Sequence, residues 1–317
     1  MKSAFVWVAL VLVLAALAAA PFFMQAYGLG LLIGLMGYVT LASAWALFSG
    51  RTGYISLATV AFFGIGAYMV AAFNEVLPYP LVLVVAALAG LALALVVGLS
   101  TLRLAGVYFV IFTFGLAELV RQLVTWYEIN VTGTLGRYIF MSLGPEHIYW
   151  QLLALAAATL FITWRIDRSR LGLALRVIAD DEVVAAHLGI NLARTKLALF
   201  ALSSVIITLV GAVQAPRWTY IEPAIAFNPT VSFLTLVMAL LGGASRLWGP
   251  VLGAVPLFLL FEWLSANFPN HYSILLGLLF IAIVFAVPKG IVALVETRFR
   301  TNERAFRPVA MEAEGKP

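Results

Sequence analysis

Apolar residues run along this chain in long blocks, and the polar residues are gathered into the short gaps between them. Ten such blocks stand out, at about 4–25, 29–49, 54–74, 79–101, 104–127, 148–166, 196–215, 229–244, 249–267 and 272–288. An α-helix crosses a bilayer core with about 20 apolar residues, and most of the blocks have that length. The eighth is at the short end of that requirement. The blocks are continuous and rich in Leu and Ala, without the alternation that a membrane-spanning strand shows. The pattern therefore predicts an all-α polytopic membrane protein with about ten transmembrane helices.

One polar gap is unlike the rest. Residues 169–191 read SRLGLALRVIADDEVVAAHLGIN. Gly172 permits a turn away from the membrane exit at Arg165, Asp167, Arg168 and Arg170. Leu173, Val177, Val184 and Leu188 then recur at helical spacing, and Gly189 is a natural helix stop. Asp180, Asp181 and Glu182 sit mid-segment, placed either to cap a second helical turn or to pair with basic groups on a partner. A helix lying on lipid headgroups would carry Lys and Arg along its polar face. Three consecutive acids would instead meet an anionic leaflet, so a protein partner fits the segment better than lipid.

Charge sets the orientation. With the N-terminus in the cytoplasm, Arg121, Arg137 and Arg217 fall outside, and the remainder of the 19 Lys and Arg fall inside. The opposite orientation would invert this bias. Both termini are then cytoplasmic, and the net charge of +5 reflects loop bias rather than nucleic-acid binding. The N-terminus has two readings. Lys2, an apolar run and Ala18-Ala19-Ala20 resemble a cleavable signal. The run is long for one, which favours an uncleaved first span. The domains read as 1–297, a transmembrane unit that includes the cytoplasmic segment 167–195, and 298–317, a flexible cytoplasmic tail.

Composition changes little beyond this. The chain is 64% hydrophobic and 10% charged, with mean hydropathy +1.06. It has no cysteine, and its three histidines lie far apart, so neither disulfides nor a metal centre is expected. No phosphate-binding G-x-x-x-x-G-K-[ST] loop is present, and no cofactor is expected. Glycines gather at Gly50, Gly53, Gly64 and Gly66, and again at Gly242, Gly243, Gly249 and Gly253. Glycines in a span either allow close helix contact or mark a break that lines a substrate path. On the second reading Phe63, Gly64, Gly66 and Tyr68, with Thr113 and Glu118 in the fifth block, are the candidate path residues. Glu118 is an acid inside an apolar run, although Arg121 three residues on makes a ready local partner. The outer gaps 128–147 and 216–230 read either as ordinary loops or as contacts for an extracytoplasmic partner.

Five segments in order, GYISLATVAFFGIGAY, LRLAGVYFVIFTFG, the 169–191 stretch, LGGASRLWGPVLGA and VPKGIVAL, resemble the LivM-type permeases, membrane subunits of ABC importers for branched-chain amino acids. The resemblance runs from about Leu41 to Leu294. It implies that 169–191 is the segment that docks on a cytoplasmic ATPase, with Arg170, Gly172, Arg176, Asp180, Asp181, Glu182, Ala185 and Gly189 at the matching positions. It also implies a second, related permease subunit, two ATPase subunits, a periplasmic solute-binding protein and a lipid-embedded place in a bacterial inner membrane. By the same implication the chain itself is not an enzyme. The chain departs from the family's pattern at Thr132-Gly133-Thr134, at Tyr54-Ile55 after Gly53, and at Phe109 and Val110. Related permeases carry urea, short amides or other amino acids, so the solute stays open. An ion-coupled secondary transporter is the rival class, with Glu118 as its one candidate ion site.

Overall fold

The computed structural model describes residues 12–286 except 103, 105 and 142, and residues 273 and 284–286 by backbone alone. The start of the first predicted span, the VPKGIVAL motif and the tail 298–317 lie outside the described residues. Lipid offers a backbone no hydrogen-bond partner, so the apolar runs close their own bonds as helices. After α1 (Leu12–Phe22) come α2 (Ala26–Thr52), α3 (Thr59–Phe73), α4 (Tyr79–Thr101), α5 (Val107–Tyr127), α6 (Pro145–Asp167), α7 (Arg170–Asp180), α8 (Glu182–His187), α9 (Leu192–Gln214), α10 (Pro223–Ala226), α11 (Thr230–Gly242), α12 (Gly249–Asn267) and α13 (Tyr272–Ala286). Seven units among the described residues are long and apolar enough to cross a membrane. They are α2, α4, α5 with its π-helical extension to Thr132, α6, α9 with the turn to Arg217, α10–α11 taken together, and α12. Three more apolar helices, α1, α3 and the 274–283 stretch of α13, are shorter.

α2 and α9 form the centre. α2 is buried along most of its length and packs against α6, α9, α11 and α12, while α3 and α4 lie on α9. α3 and α9 approach to backbone contact. A Cβ at Gly66 would strike the carbonyl of Thr208, and a Cβ at Gly211 would strike the carbonyl of Phe63. Van der Waals packing of this kind holds helices together where both lipid and protein are apolar. α1 is tied to α6 by Tyr149 Oη donating to the Leu17 carbonyl (2.8 Å) and by Trp150 Nε1 donating to the Ala18 carbonyl (3.1 Å).

Three expectations need correction. The third span is not one helix over 54–74. Gly53 ends α2 with φ 76°, and the chain runs non-helically back into the bundle before α3 starts at Thr59. The 173–188 helix is two helices, broken at Asp181. Gly172 makes no turn. It lies inside α7, where Ser169 is the cap and a Cβ at Gly172 would strike the carbonyl of Ile166. The gaps at 128–147 and 216–230 are joined. β1 (Arg137–Tyr138) pairs antiparallel with β2 (Tyr220–Ile221), with Arg137 opposite Ile221 and Tyr138 opposite Tyr220. The bundle thus has a ribbon end and, opposite it, an end that carries α7 and α8.

Candidate functional site

The chemistry gathers in two places, a cleft in the bundle core and the α7–α8 surface. The cleft forms where α3 starts late. Residues 53–58 enter the core without helical bonds of their own, and buried groups must then find partners elsewhere. Trp45 Nε1 donates to the Ser56 carbonyl (2.7 Å), and the Leu57 amide donates to Thr113 Oγ1 (3.1 Å). Ser232 on α11 serves two groups, accepting from the Val60 amide (2.9 Å) and donating to the Leu57 carbonyl (3.0 Å). Around this stretch Ser49, Ser56, Thr59, Ser203 and Ser204 share a cleft with Trp45, Phe48, Phe62, Phe200 and Ile207. Its walls are hydroxyls on aromatic and aliphatic surface, and it is too narrow as it stands to hold an amino acid. Ser232→Ala leaves an amide and a carbonyl without their partner, each costing about 1–3 kcal/mol when buried. A clearly lower thermal unfolding midpoint is expected for that variant in detergent, with Ser100→Ala, whose hydroxyl is exposed, unchanged.

The six candidate path residues do not form one site. Thr113 stands at the non-helical stretch. Phe63, Gly64 and Gly66 are in helix packing, Gly64 under the ring of Phe227 and Gly66 against α9. Tyr68 is buried beside Phe227 (5.8 Å between centroids), its hydroxyl without a protein partner. Glu118 faces outward on α5, with Arg121 Nε on Oε2 (2.9 Å), and with Arg121 Nη2 (2.5 Å) and Gln122 (2.8 Å) on Oε1. Glu128, which nothing in the sequence singles out, is 1% exposed and paired with Arg137 (2.7 Å) near the ribbon. Its place at the end of an apolar run resembles an ordinary loop acid, and only the fold buries it.

The α7–α8 surface is anchored by capping and by two ion pairs. Asp181 Oδ1 accepts from the amides of Val183 (2.7 Å) and Val184 (3.2 Å), starting α8. Gly189, at φ 79°, closes α8, with its amide on the Ala186 carbonyl and that of Ile190 on the Ala185 carbonyl. Asn191 caps α9 through the Arg194 amide. Asp167, just before α7, grips Arg51 through two bonds of 3.2 and 2.9 Å, and Arg51 also donates to the Ala244 carbonyl (3.3 Å). Glu182 pairs with the buried Lys196 (2.5 Å). Inward, Gly172, Leu175, Ile178 and Ala185 are buried. Outward, Leu173, Val183, Val184 and Leu188 are exposed, with Arg170, Arg176 and Asp180 beside them. Losing an N-cap costs about 1 kcal/mol, so Asp181→Ala should cut amide protection in α8 by about fivefold, read by hydrogen exchange, with α7 unchanged.

The family described as branched-chain amino acid transport system, permease component, matches residues 27–284, nearly the whole described bundle. The high-affinity branched-chain amino acid transport system permease protein LivM of Escherichia coli is 25% identical over 306 residues, covering 86% of this chain and 71% of its own. LivM of Salmonella typhimurium is 25% identical over 299 residues, covering 84% and 70%. LivH of Escherichia coli, named as a permease of the same kind of system, is 29% identical over 140 residues, 44% of each chain. No solved structure gives a match. The chain belongs to the branched-chain amino acid transport system permease family.

Proposed function

We propose that the chain is the LivM-like membrane subunit of an ABC importer for branched-chain amino acids, powered by ATP hydrolysis on separate subunits. The family match across residues 27–284 carries this reading. Likeness to both LivM and LivH supports a second, related permease beside it in a bacterial inner membrane. Two ATPase subunits and a periplasmic binding protein complete the assembly. The Lys and Arg bias supports the α7–α8 end as the cytoplasmic one, with both termini on that side. About ten spans follow if α1, α3 and α13 each complete a crossing with their neighbouring residues.

The outward face of α7–α8 docks the ATPases through Leu173, Val183, Val184 and Leu188 inside a charged rim of Arg170, Arg176 and Asp180. An apolar patch with a mixed-charge rim suits a protein partner better than lipid headgroups. Gly172 and Ala185 seat that face on the bundle, Glu182 ties it to Lys196, and Asp181 and Gly189 start and end α8. The cleft beside residues 53–58 is the part of the path that has to widen. Its apolar wall suits a leucine-type side chain, and its serine and threonine hydroxyls suit the polar end of an amino acid. An ion-coupled carrier is the weaker reading, because Arg121 and Gln122 occupy both oxygens of Glu118. The reading is tested by uptake of labelled leucine, isoleucine, valine, urea and acetamide in cells that lack other importers for them. Uptake confined to the branched-chain amino acids is expected. Uptake of urea or acetamide alone would move the chain to the amide and urea branch of the same permeases.

A further inference from the structure

Lys196 is an unusual residue to find inside this bundle. Its side chain is 4% exposed, and it sits in the first turns of α9 between two segments that are distant in sequence. Its ammonium donates to Glu182 Oε1 at the start of α8 (2.5 Å) and to the hydroxyl of Tyr54 (2.9 Å), and lies 4.2 Å from the centre of the Tyr54 ring. Tyr54 opens the non-helical stretch, and two residues later the Ser56 carbonyl is held by Trp45 at the cleft. One buried cation therefore joins the α7–α8 surface to the chain segment that lines the core.

A buried ammonium is costly unless its partners stay with it. If α8 shifts, the cation either loses Glu182 or moves with it, and in moving it takes the Tyr54 hydroxyl and ring along. A lysine is suited to this, since its flexible stem lets the charge travel while three donors keep contact. We propose that Lys196 is a positioning residue that transmits displacement of α7–α8 to residues 54–58, so that ATPase movement opens the core cleft. The proposal rests on α7–α8 being the ATPase docking face.

The test uses the complete importer in proteoliposomes, with both permeases, both ATPases and the binding protein. The readouts are retention of the ATPase subunits and leucine imported per ATP hydrolysed. Lys196→Met should keep the ATPases and ATP hydrolysis, while leucine per ATP falls by about tenfold, within the range of linked sites. Lys196→Arg should recover most of that loss. Tyr54→Phe removes the oxygen that accepts from the ammonium and should lower the ratio by about fivefold. If Lys196→Met fails to assemble, Tyr54→Phe decides alone. An assembled Lys196→Met or Tyr54→Phe importer with the parent ratio overturns the proposal. Leu173→Glu, on the outward face, separates the two readings. Loss of the ATPases in Leu173→Glu with a parent ratio in Lys196→Met sinks the transmission alone. Retention of the ATPases in Leu173→Glu sinks the docking reading, and the transmission with it.

Discussion

Leu173→Glu combined with Arg176→Glu should weaken ATPase binding by about 30-fold or more while leaving the permease folded. Leu173 is 62% exposed, and Arg176 is also exposed, whereas the bundle-facing positions of α7 are Gly172, Leu175 and Ile178. The double substitution therefore spares the packing that holds α7 on the bundle. It puts one acid into the proposed docking patch at Leu173 and another into its rim, beside Asp180. Buried anchors in interfaces are worth about 2 kcal/mol or more each, and every 1.4 kcal/mol is about tenfold in affinity. Co-purification of tagged ATPase subunits reads the effect, and the unfolding midpoint of the isolated permease should stay within about 2 °C of the parent. Reversing Asp180 and Asp181 together is a poorer test. Asp181 caps α8, so its loss disturbs the segment whether or not anything docks there.

The second large effect concerns Gly66. Gly66→Leu should abolish recovery of folded protein, because its Cβ would occupy the space of the Thr208 carbonyl on α9. Neither backbone can yield without parting α3 from α9. Overpacking costs about 1–3 kcal/mol when side chains can give way, and here the obstacle is backbone, so the cost lies above that range. Gly115→Leu is the matched control. Gly115 also sits in an apolar helix, but nothing lies within 4 Å of its added Cβ. Size-exclusion profiles in detergent should show aggregate for Gly66→Leu and the parent peak for Gly115→Leu.

These two glycines show what the sequence could tell and what it could not. Hydropathy found two of the long spans closely, with 79–101 against Tyr79–Thr101 and 249–267 against Gly249–Asn267. It reports only the preference for an apolar medium, so it cannot separate Gly66 in backbone contact from Gly115 in the open. It also read GYISLATV as the start of a helix. The stretch before α3 is apolar, and its irregular backbone survives because Trp45, Thr113 and Ser232 satisfy it from other elements. On 169–191 the helical spacing and the stop at Gly189 were legible. The spacing named Leu173, Val177, Val184 and Leu188 as one apolar stripe; Leu173, Val184 and Leu188 are exposed and Val177 is half-buried, because a second stripe of Leu175, Ile178 and Ala185 faces the bundle. Asp181 as a cap was one of two open readings and is the one the backbone uses. Lys196 counted only as a positive charge on the inner side. Its burial, and its bonds to Tyr54 and Glu182, depend on segments that come together only in the fold. The same holds for the ribbon, whose paired residues are too few to leave a pattern in the sequence.

On the proposed function, this chain passes branched-chain amino acids inward at the expense of ATP hydrolysed by its partners. That reading is tested most directly by leucine uptake into proteoliposomes that hold the two permeases and two ATPases, with binding protein on the solute side and no ion gradient. Uptake that needs both ATP and the binding protein, and that stops with vanadate, is the predicted result. Uptake driven by a proton or sodium gradient without ATP would contradict it.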